Sequence, residues 1–385
     1  MVIAIMHGRT SELREKLRHA PEWVYLGPNK VGRGHPTYFI AEIGNNHNGD
    51  FYLAKRSIEE AAKAGAHAVK FQKRSVHDTF AKELRDKPQT KDEIKGKTYG
   101  EYREGLEFSF DDFIRLKEIA DFNGVAFFAT PFDLPSVDFL EKAGMPFYKI
   151  ASFDVTNIPL LERVARTNKP IILSTGMATL EEVDEAVTTV LAHHANLIVL
   201  HCVSVYPSPD EHINLGAMRL LKRLYAPLPI GYSGHEQDIL PTLMAIAHGA
   251  TIVERHFTLS KLLPGPDHAS VSIDPGSFKE MMDAAARIHV LYGKGEKELL
   301  EQERITRNKH AKSIVASIPI ANGTVITETM LTCKSPGYGL RPRELSVVVG
   351  KRASHDIMAD TVLRHEDIEW EPALSGVLPA REKNA

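Results

Sequence analysis

Eight apolar runs, each five to seven residues long, recur between positions 38 and 256: Tyr38–Gly44, His67–Gln72, Val125–Thr130, Phe147–Ser152, Ile171–Thr175, Leu197–His201, Pro229–Ser233 and Thr251–His256. Near-continuous apolar character over that length predicts strands of a parallel sheet covered on both faces. The segments between them, among them Leu53–Ala64, Phe110–Phe122, Pro135–Lys142 and Leu180–Ala192, carry apolar residues at helical spacing. Eight strands alternating with helices predict an α/β fold of the (β/α)8 TIM-barrel type, with a doubly wound open sheet as the alternative.

The ends of the runs sharpen that choice. They carry Glu42, Lys70 with Gln72, Thr130, Lys149 with Ser152, Ser174 with Thr175, His201, Ser233 and His256. In a barrel, the C-terminal ends of all strands meet at one rim, where the active site of this fold sits. One polar strand end more often marks a strand leaving the core; eight in succession are poorly explained that way.

Beyond about residue 284 the texture changes. Residues 1–36 form an N-terminal extension with a helix-like piece at Ser11–His19, and residues 37–295 hold the barrel. The charged stretch 296–312 reads as a partly helical linker. Residues 313–370 form a small β-rich unit, with β-like runs at Ser313–Pro319 and Val347–Val349 and a turn at Asn322-Gly323. A polar, mobile tail is expected at 371–385. The charged insertion Thr79–Glu104, between the second and third strands, is a candidate lid.

Composition narrows the partners. With 43% hydrophobic and 25% charged residues the chain is ordinary for a soluble protein, and a formal charge of −3 provides no basic field for nucleic acid or a membrane surface. Two cysteines, Cys202 and Cys333, do not make a disulfide framework. The apolar start Met1–Met6 is too short for a signal-peptide core, so a cytoplasmic enzyme acting on small molecules is expected.

Two histidines carry a metal hypothesis. His235 follows the seventh strand and His256 ends the eighth, so neighbouring strands would bring both imidazoles to one rim. Two nitrogen ligands with other positions left to water or substrate describe an open catalytic site suited to Mn²⁺, without excluding Zn²⁺ or Co²⁺. Lys70 and Lys149 could face the same cavity, with hydroxyls from Ser152, Ser174, Ser204 and Ser233, as a pocket for a small anion. A lone serine is more often a helix cap or turn, and Ser174 is placed to cap a helix starting near Thr179. Glu42, Asp154 and Asp267 are the acid–base candidates, although pairing of Glu42 with Lys70 would be a purely structural alternative.

At this point the motifs carry a resemblance. Ala41-Glu-Ile-Gly-Asn-Asn-His-Asn-Gly49, Val69-Lys-Phe-Gln72, Thr130-Pro-Phe-Asp133, Tyr148-Lys-Ile-Ala-Ser152 and Ser174-Thr-Gly-Met177 resemble the N-acetylneuraminate (sialic acid) synthase family. So do Leu200-His-Cys202 with Tyr206-Pro207, Gly231-Tyr-Ser-Gly-His-Glu236, Glu254-Arg-His-Phe-Thr258 and Gly265-Pro-Asp-His268. The matches run in order over residues 37–370, and residues 313–370 resemble the family's antifreeze-like (SAF) domain.

The resemblance implies a barrel followed by an SAF domain in a domain-swapped homodimer, the small domain of one subunit capping the active site of the other. It implies condensation of phosphoenolpyruvate with an N-acylmannosamine-type aldehyde, with or without a 6-phosphate, giving a nine-carbon keto acid and phosphate. By position it makes His235 and His256 ligands of a divalent ion, Mn²⁺ or else Mg²⁺ or Co²⁺. Lys70, Thr130, Lys149, Ser152, Ser174 and Ser233 match phosphoenolpyruvate-binding positions, and Ser204 stands where the family commonly has asparagine. Gln72, Asp154, Tyr206 and Asp267 match acceptor positions, with Asp154 also in the acid–base set, and Glu42 matches a proton donor or acceptor.

Two further departures concern the acceptor. Ser233-Gly234-His235 stands where many bacterial-type members have Ser-Asp-His, a variation shared with members that accept a 6-phosphorylated sugar. Lys334-Ser-Pro-Gly337 lacks the arginine of the capping domain, leaving Arg341 or Arg343 as replacements. The competing readings are another phosphoenolpyruvate aldol-type synthase, which would lack the SAF unit, a metal-dependent hydrolase, which would need more ligands, and a non-catalytic sugar- or ice-binding protein.

Overall fold

The computed structural model describes residues 11–89, 96–265 and 267–370; the expected tail, 371–385, lies outside them. The chain divides into two compact units, Met1–Gly293 and Lys294–Ala385.

The first unit is a closed barrel. A hairpin of β1 (Trp23–Leu26) and β2 (Asn29–Gly32) precedes eight parallel strands: β3 (Tyr38–Gly44), β4 (Ala68–Lys73), β5 (Ala126–Pro131), β6 (Tyr148–Ile150), β7 (Ile171–Ser174), β8 (Leu197–Cys202), β9 (Ile230–Gly234) and β10 (Ile252–His256). These pair in sequence order, and β10 returns to β3 with His256 beside Glu42, so the open-sheet alternative is excluded. Every predicted strand is present, shifted by no more than a few residues.

Strand residues alternate between two apolar clusters, as the pleat requires. Phe39, Ala41, Val69, Phe71, Leu173 and Val253 pack outward against the helices. Ile40, Ala68, Phe128, Phe147, Ile172, Ile198 and Ile252 fill the barrel's lower interior, where Val24, Leu26 and Val31 of the hairpin join them. The hairpin Trp23–Gly32 therefore plugs the bottom of the barrel, a role its sequence did not reveal.

Most of the surrounding helices start on side-chain caps. Asp50 accepts from the backbone N–H groups of Tyr52 and Leu53, Asp133 from Ser136, and Thr179 forms a capping box with Glu182. Among the described residues no helix is long and apolar enough to cross a membrane.

The second unit has its own core of Ile314, Ala316, Ile320, Ile326, Val348, Leu363 and neighbours. Its sheets are small: β11 (Ser313–Ala316) with β12 (Leu331–Lys334), and β13 (Arg352–Ala353) with β14 (Ile368–Glu369), both antiparallel. The stretch expected to be helical within 296–312 contains a ten-residue helix, Glu301–His310. Val347–Val349 is not a strand; Leu345–Val348 forms a helical turn that buries Val348 and leaves Val347 and Val349 exposed. The backbone N–H of Val349 donates to Leu345 O at 2.9 Å, and this turn hydrogen bond overrides the β-branched propensity of the run.

Candidate active site

A cavity of about 520 Å³ opens at the C-terminal rim of the barrel. It is lined by Glu42, Lys70, Gln72, Thr130, Lys149, Ser152, Ser174, Ser204, Tyr206, Ser233, His235, His256 and Asp267, thirteen of the fourteen residues singled out from sequence. The exception is Asp154. It lies in the short turn Ser152–Asp154, where Asn157 Nδ2 donates to its Oδ1 at 3.0 Å and its other oxygen is buried without a partner. Burial pushes its carboxyl up to about 6. It sits behind the cavity wall, not on it.

The floor is a cluster of four buried charges. Lys70 Nζ lies 2.8 Å from Glu42 Oε2, 3.7 Å from Glu254 Oε1 and 3.1 Å from Thr130 Oγ1. Lys149 Nζ lies 3.6 Å from Glu254 Oε1. Gln72 Nε2 donates to Glu42 Oε1 at 2.9 Å, and Ser233 Oγ to Glu254 Oε1 at 3.2 Å. Glu42 therefore does pair with Lys70, and the pair lines the cavity.

The two carboxylates are driven apart electrostatically. Burial raises the Glu42 pKa, and Glu254 adds repulsion against the pull of Lys70. Burial also acts on Glu254, but Lys149 and Lys70 together outweigh it and hold it low. Glu42 is thus the more readily protonated of the two carboxyls and Glu254 the one held as a charge. Lys149, pressed down by burial, is the more readily neutralised lysine.

A second wall carries hydroxyls. The backbone N–H of Gly176 donates to Ser152 Oγ at 3.1 Å, while Ser174 Oγ and Ser204 Oγ are buried with no partner. Thr179 caps the following helix, so the capping role open to Ser174 is already filled. A Cβ at Gly176 would lie 2.4 Å from Ser204 Oγ and 2.8 Å from Ser152 Oγ, so only glycine lets these hydroxyls gather around its N–H. Unpaired buried hydroxyls beside two lysines form a cradle for an oxygen-rich anion.

The imidazoles of His235 and His256 stand 5.4 Å apart, centroid to centroid, with the Tyr206 ring 4.1 Å from that of His235. His235 Nδ1 donates to Val203 O at 2.7 Å, which leaves Nε2 as a lone-pair donor. His256 Nδ1 is buried without a partner, and burial, with His235 and Lys70 nearby, keeps this ring neutral. Burial presses the His235 pKa down, but hydrogen bonding to Cys202 and Val203 outweighs it and raises that pKa. This ring would give up its Nε2 proton to a divalent ion, while the neutral His256 ring offers an orphaned nitrogen; the pair fits such an ion. Among the described residues no group of three or more His, Cys, Asp or Glu forms a metal site, so the remaining positions would fall to water or substrate.

Sequence reasoning missed several lining residues. Glu254 was the detectable one: it stands two residues before His256 on a strand, and so on the same face. Arg74, Tyr99 and Arg103 had no comparable signal. Thr79, Phe80, Tyr99 and Arg103 come from the insertion, whose described parts form a wall of the cavity. Conversely, His201 faces away and contacts Ile213 O at 2.8 Å, and Thr175 Oγ1 donates to Leu200 O. A larger cavity of about 1030 Å³ lies by the barrel's N-terminal end, but its charged lining residues, Glu22, Arg33 and Lys222, are exposed.

A closed barrel with a polar, charge-lined rim cavity, followed by a small β-rich unit, defines the class of two-unit (β/α)8 protein. Residues 57–297 match the NeuB family and residues 311–369 the SAF domain, and the chain belongs to the NeuB family with a C-terminal SAF domain. It is 36% identical over 340 residues to human N-acetylneuraminate-9-phosphate synthase, covering 88% of this chain and 94% of that one. It is 38% identical over 339 residues to N,N'-diacetyllegionaminic acid synthase of Legionella pneumophila, covering 86% and 94%. The crystal structure of N-acetylneuraminic acid synthetase from Leptospira borgpetersenii in complex with citrate superposes with a TM-score of 0.66 at 36% identity, covering 75% of this chain and 96% of that one.

Proposed function

We propose that this protein condenses phosphoenolpyruvate with an N-acylmannosamine-type aldose, with or without a 6-phosphate, giving a nonulosonic acid and phosphate. The observation that carries the reading is the buried Lys70–Glu42–Glu254–Lys149 cluster set beside the His235–His256 imidazole pair in one cavity. The names of the human and Legionella relatives support the same product class.

In this reading Lys70, Lys149 and the Ser152, Ser174 and Ser204 hydroxyls hold the donor's phosphate and carboxylate, with Thr130 and Ser233 supporting the lysines and Glu254. Gln72, Tyr206 and Asp267 line the acceptor end. C3 of the donor attacks the aldehyde carbon, and the new C–C bond leaves an alkoxide that takes a proton. Glu42, whose pKa is raised, is placed to supply it. Water adds to the cationic C2 that results, and the phosphate leaves with its bridging oxygen to give the ketone. A divalent ion on His235 and His256, Mn²⁺ foremost, would act as a Lewis acid on the acceptor. Preorganised lysines supply the rest of the charge stabilisation. Asp154 would act behind the wall, through the turn that carries Ser152. A homodimer in which the SAF unit of one subunit covers the cavity of the other belongs to the same reading, as does a cytoplasmic location.

The test is turnover by metal-stripped protein on restoring Mn²⁺. Phosphoenolpyruvate would be offered with N-acetylmannosamine, its 6-phosphate, mannose 6-phosphate and a 2,4-diacetamido hexose. Metal-restored phosphate release with a matching keto acid confirms the synthase and names its acceptor. A folded dimer silent on the whole panel would refute it.

A further inference from the structure

Behind the imidazole pair, on the outer side of the barrel wall, lies a second buried group of charges that the proposed reaction does not use. Along β10, Glu254 and His256 face the cavity, so Arg255 between them points into the layer between strands and helices. Arg255 is 0% exposed. Its Nη1 donates to Glu236 Oε1 at 3.0 Å, to Thr242 Oγ1 at 3.0 Å and to Asp238 O at 2.8 Å. Its Nη2 donates to Glu236 O at 2.5 Å. The Glu236 carboxylate also accepts from Thr242 Oγ1 at 2.6 Å and from Tyr232 OH at 2.9 Å.

The connectivity gives this network its meaning. Arg255 immediately precedes His256, and Glu236 immediately follows His235. One guanidinium thus grips both the side chain and the main chain of the segment leaving His235, tying the end of β9 to β10. Gly234 makes room for it. A Cβ there would lie 2.4 and 2.7 Å from the two Glu236 carboxylate oxygens and 2.7 Å from the Tyr232 ring. Glycine in Ser233-Gly234-His235 therefore follows from the position of Glu236. A buried ion pair in an otherwise apolar layer is a poor source of stability, because desolvating both charges offsets their attraction. Its geometric effect is definite: both imidazoles are held through one rigid fork.

We infer that the Arg255–Glu236 pair, seated over Gly234, is a positioning device that sets the separation and orientation of His235 and His256 for a shared divalent ion. The inference rests on the reading of these histidines as ion ligands. Outer contacts that orient metal ligands typically change affinity by about 10- to 100-fold when removed.

The test measures Mn²⁺ affinity directly, from the EPR signal of free ion, alongside urea unfolding of the same full-length samples. Arg255→Met alone leaves a buried carboxylate unpaired and risks unfolding, so two other variants decide. Arg255→Lys keeps the charge but loses the fork. The double variant Arg255→Met/Glu236→Met removes both charges, a change that often leaves stability intact. Both are expected to weaken Mn²⁺ binding by about 10- to 100-fold, with the double variant unfolding as cooperatively as the parent. Gly234→Ala should weaken binding in the same direction. Parental Mn²⁺ affinity in both Arg255→Lys and the double variant would overturn the inference and make the pair a packing element. A His235→Ala control separates the two claims. If the parent's Mn²⁺ binding does not depend on His235, the ion assignment itself falls, and the positioning role with it.

Discussion

The lower and upper halves of the barrel interior are made by the same strands and have opposite chemistry. Six of the eight inward-facing rows start apolar and end polar: Ile40 is followed by Glu42, Ala68 by Lys70, Phe128 by Thr130, Phe147 by Lys149, Ile172 by Ser174 and Ile252 by Glu254. The lower half, closed by Val24, Leu26 and Val31, gains free energy from burial. The upper half buries charges and orphaned hydroxyls whose desolvation is unfavourable until a ligand supplies partners. Stability and function are thus divided by height along one set of strands, and substitutions at the two levels should fail differently.

The largest effect is expected at the top. His235→Ala should lower metal-dependent phosphate release by about three orders of magnitude, the several kcal/mol a Lewis acid supplies, and leave the urea midpoint near the parent's. Parental turnover in that variant would end the metal reading. At the bottom the sign reverses. Phe128→Ala should cost about 3–5 kcal/mol in urea unfolding, while turnover per folded molecule stays unchanged. A turnover loss without a stability loss there would erase the division.

Asp154 lies at the boundary, and pH resolves its role. Its native pKa is raised to about 6, so below about pH 3 it is protonated in both folded and unfolded chains. Stability is then lost as pH rises from about 4 to about 6, by up to about 3 kcal/mol once ionisation is complete. Asp154→Asn removes that loss, so the variant should equal the parent near pH 3 and exceed it at pH 7.5. Unfolding at the two pH values checks this. A collapse of turnover in the variant, with no stability gain, would return Asp154 to the acid–base set.

Much of this was legible in the chain because the barrel's period is simple. Apolar runs marked the strands, and their polar ends marked the rim. Thirteen cavity residues follow from that rule and from the family motifs. What escaped has physical reasons. The hairpin Trp23–Gly32 is too short to show an alternation, and its apolar face has meaning only against the barrel's open end. Glu254 and Arg255 are adjacent in sequence, but the pleat sends one to the cavity and the other to the helix layer. His201 ends a strand yet points outward, since a strand end fixes height and not direction. Tyr99 and Arg103 reach the cavity from an insertion whose course no periodicity records.

The smallest predicted effects separate two residues that sequence reasoning had linked. Ser174 and Thr179 are five residues apart at the top of β7, and either could serve the following helix. The structure gives the cap to Thr179 and leaves Ser174 Oγ buried and unpaired. Ser174→Ala should therefore raise the KM for phosphoenolpyruvate roughly tenfold, the worth of one hydrogen bond to a charged group, about 1.5 kcal/mol. It should leave stability unchanged or slightly higher, because an unsatisfied hydroxyl is removed. Thr179→Ala should do the reverse, costing about 1 kcal/mol in unfolding and leaving that KM alone. The residue with a partner in the free protein would then belong to the scaffold, and the residue without one to the ligand. A stability loss from Ser174→Ala with an unchanged KM would mean that its hydroxyl serves the fold, and the boundary between scaffold and site would move up by one layer of side chains.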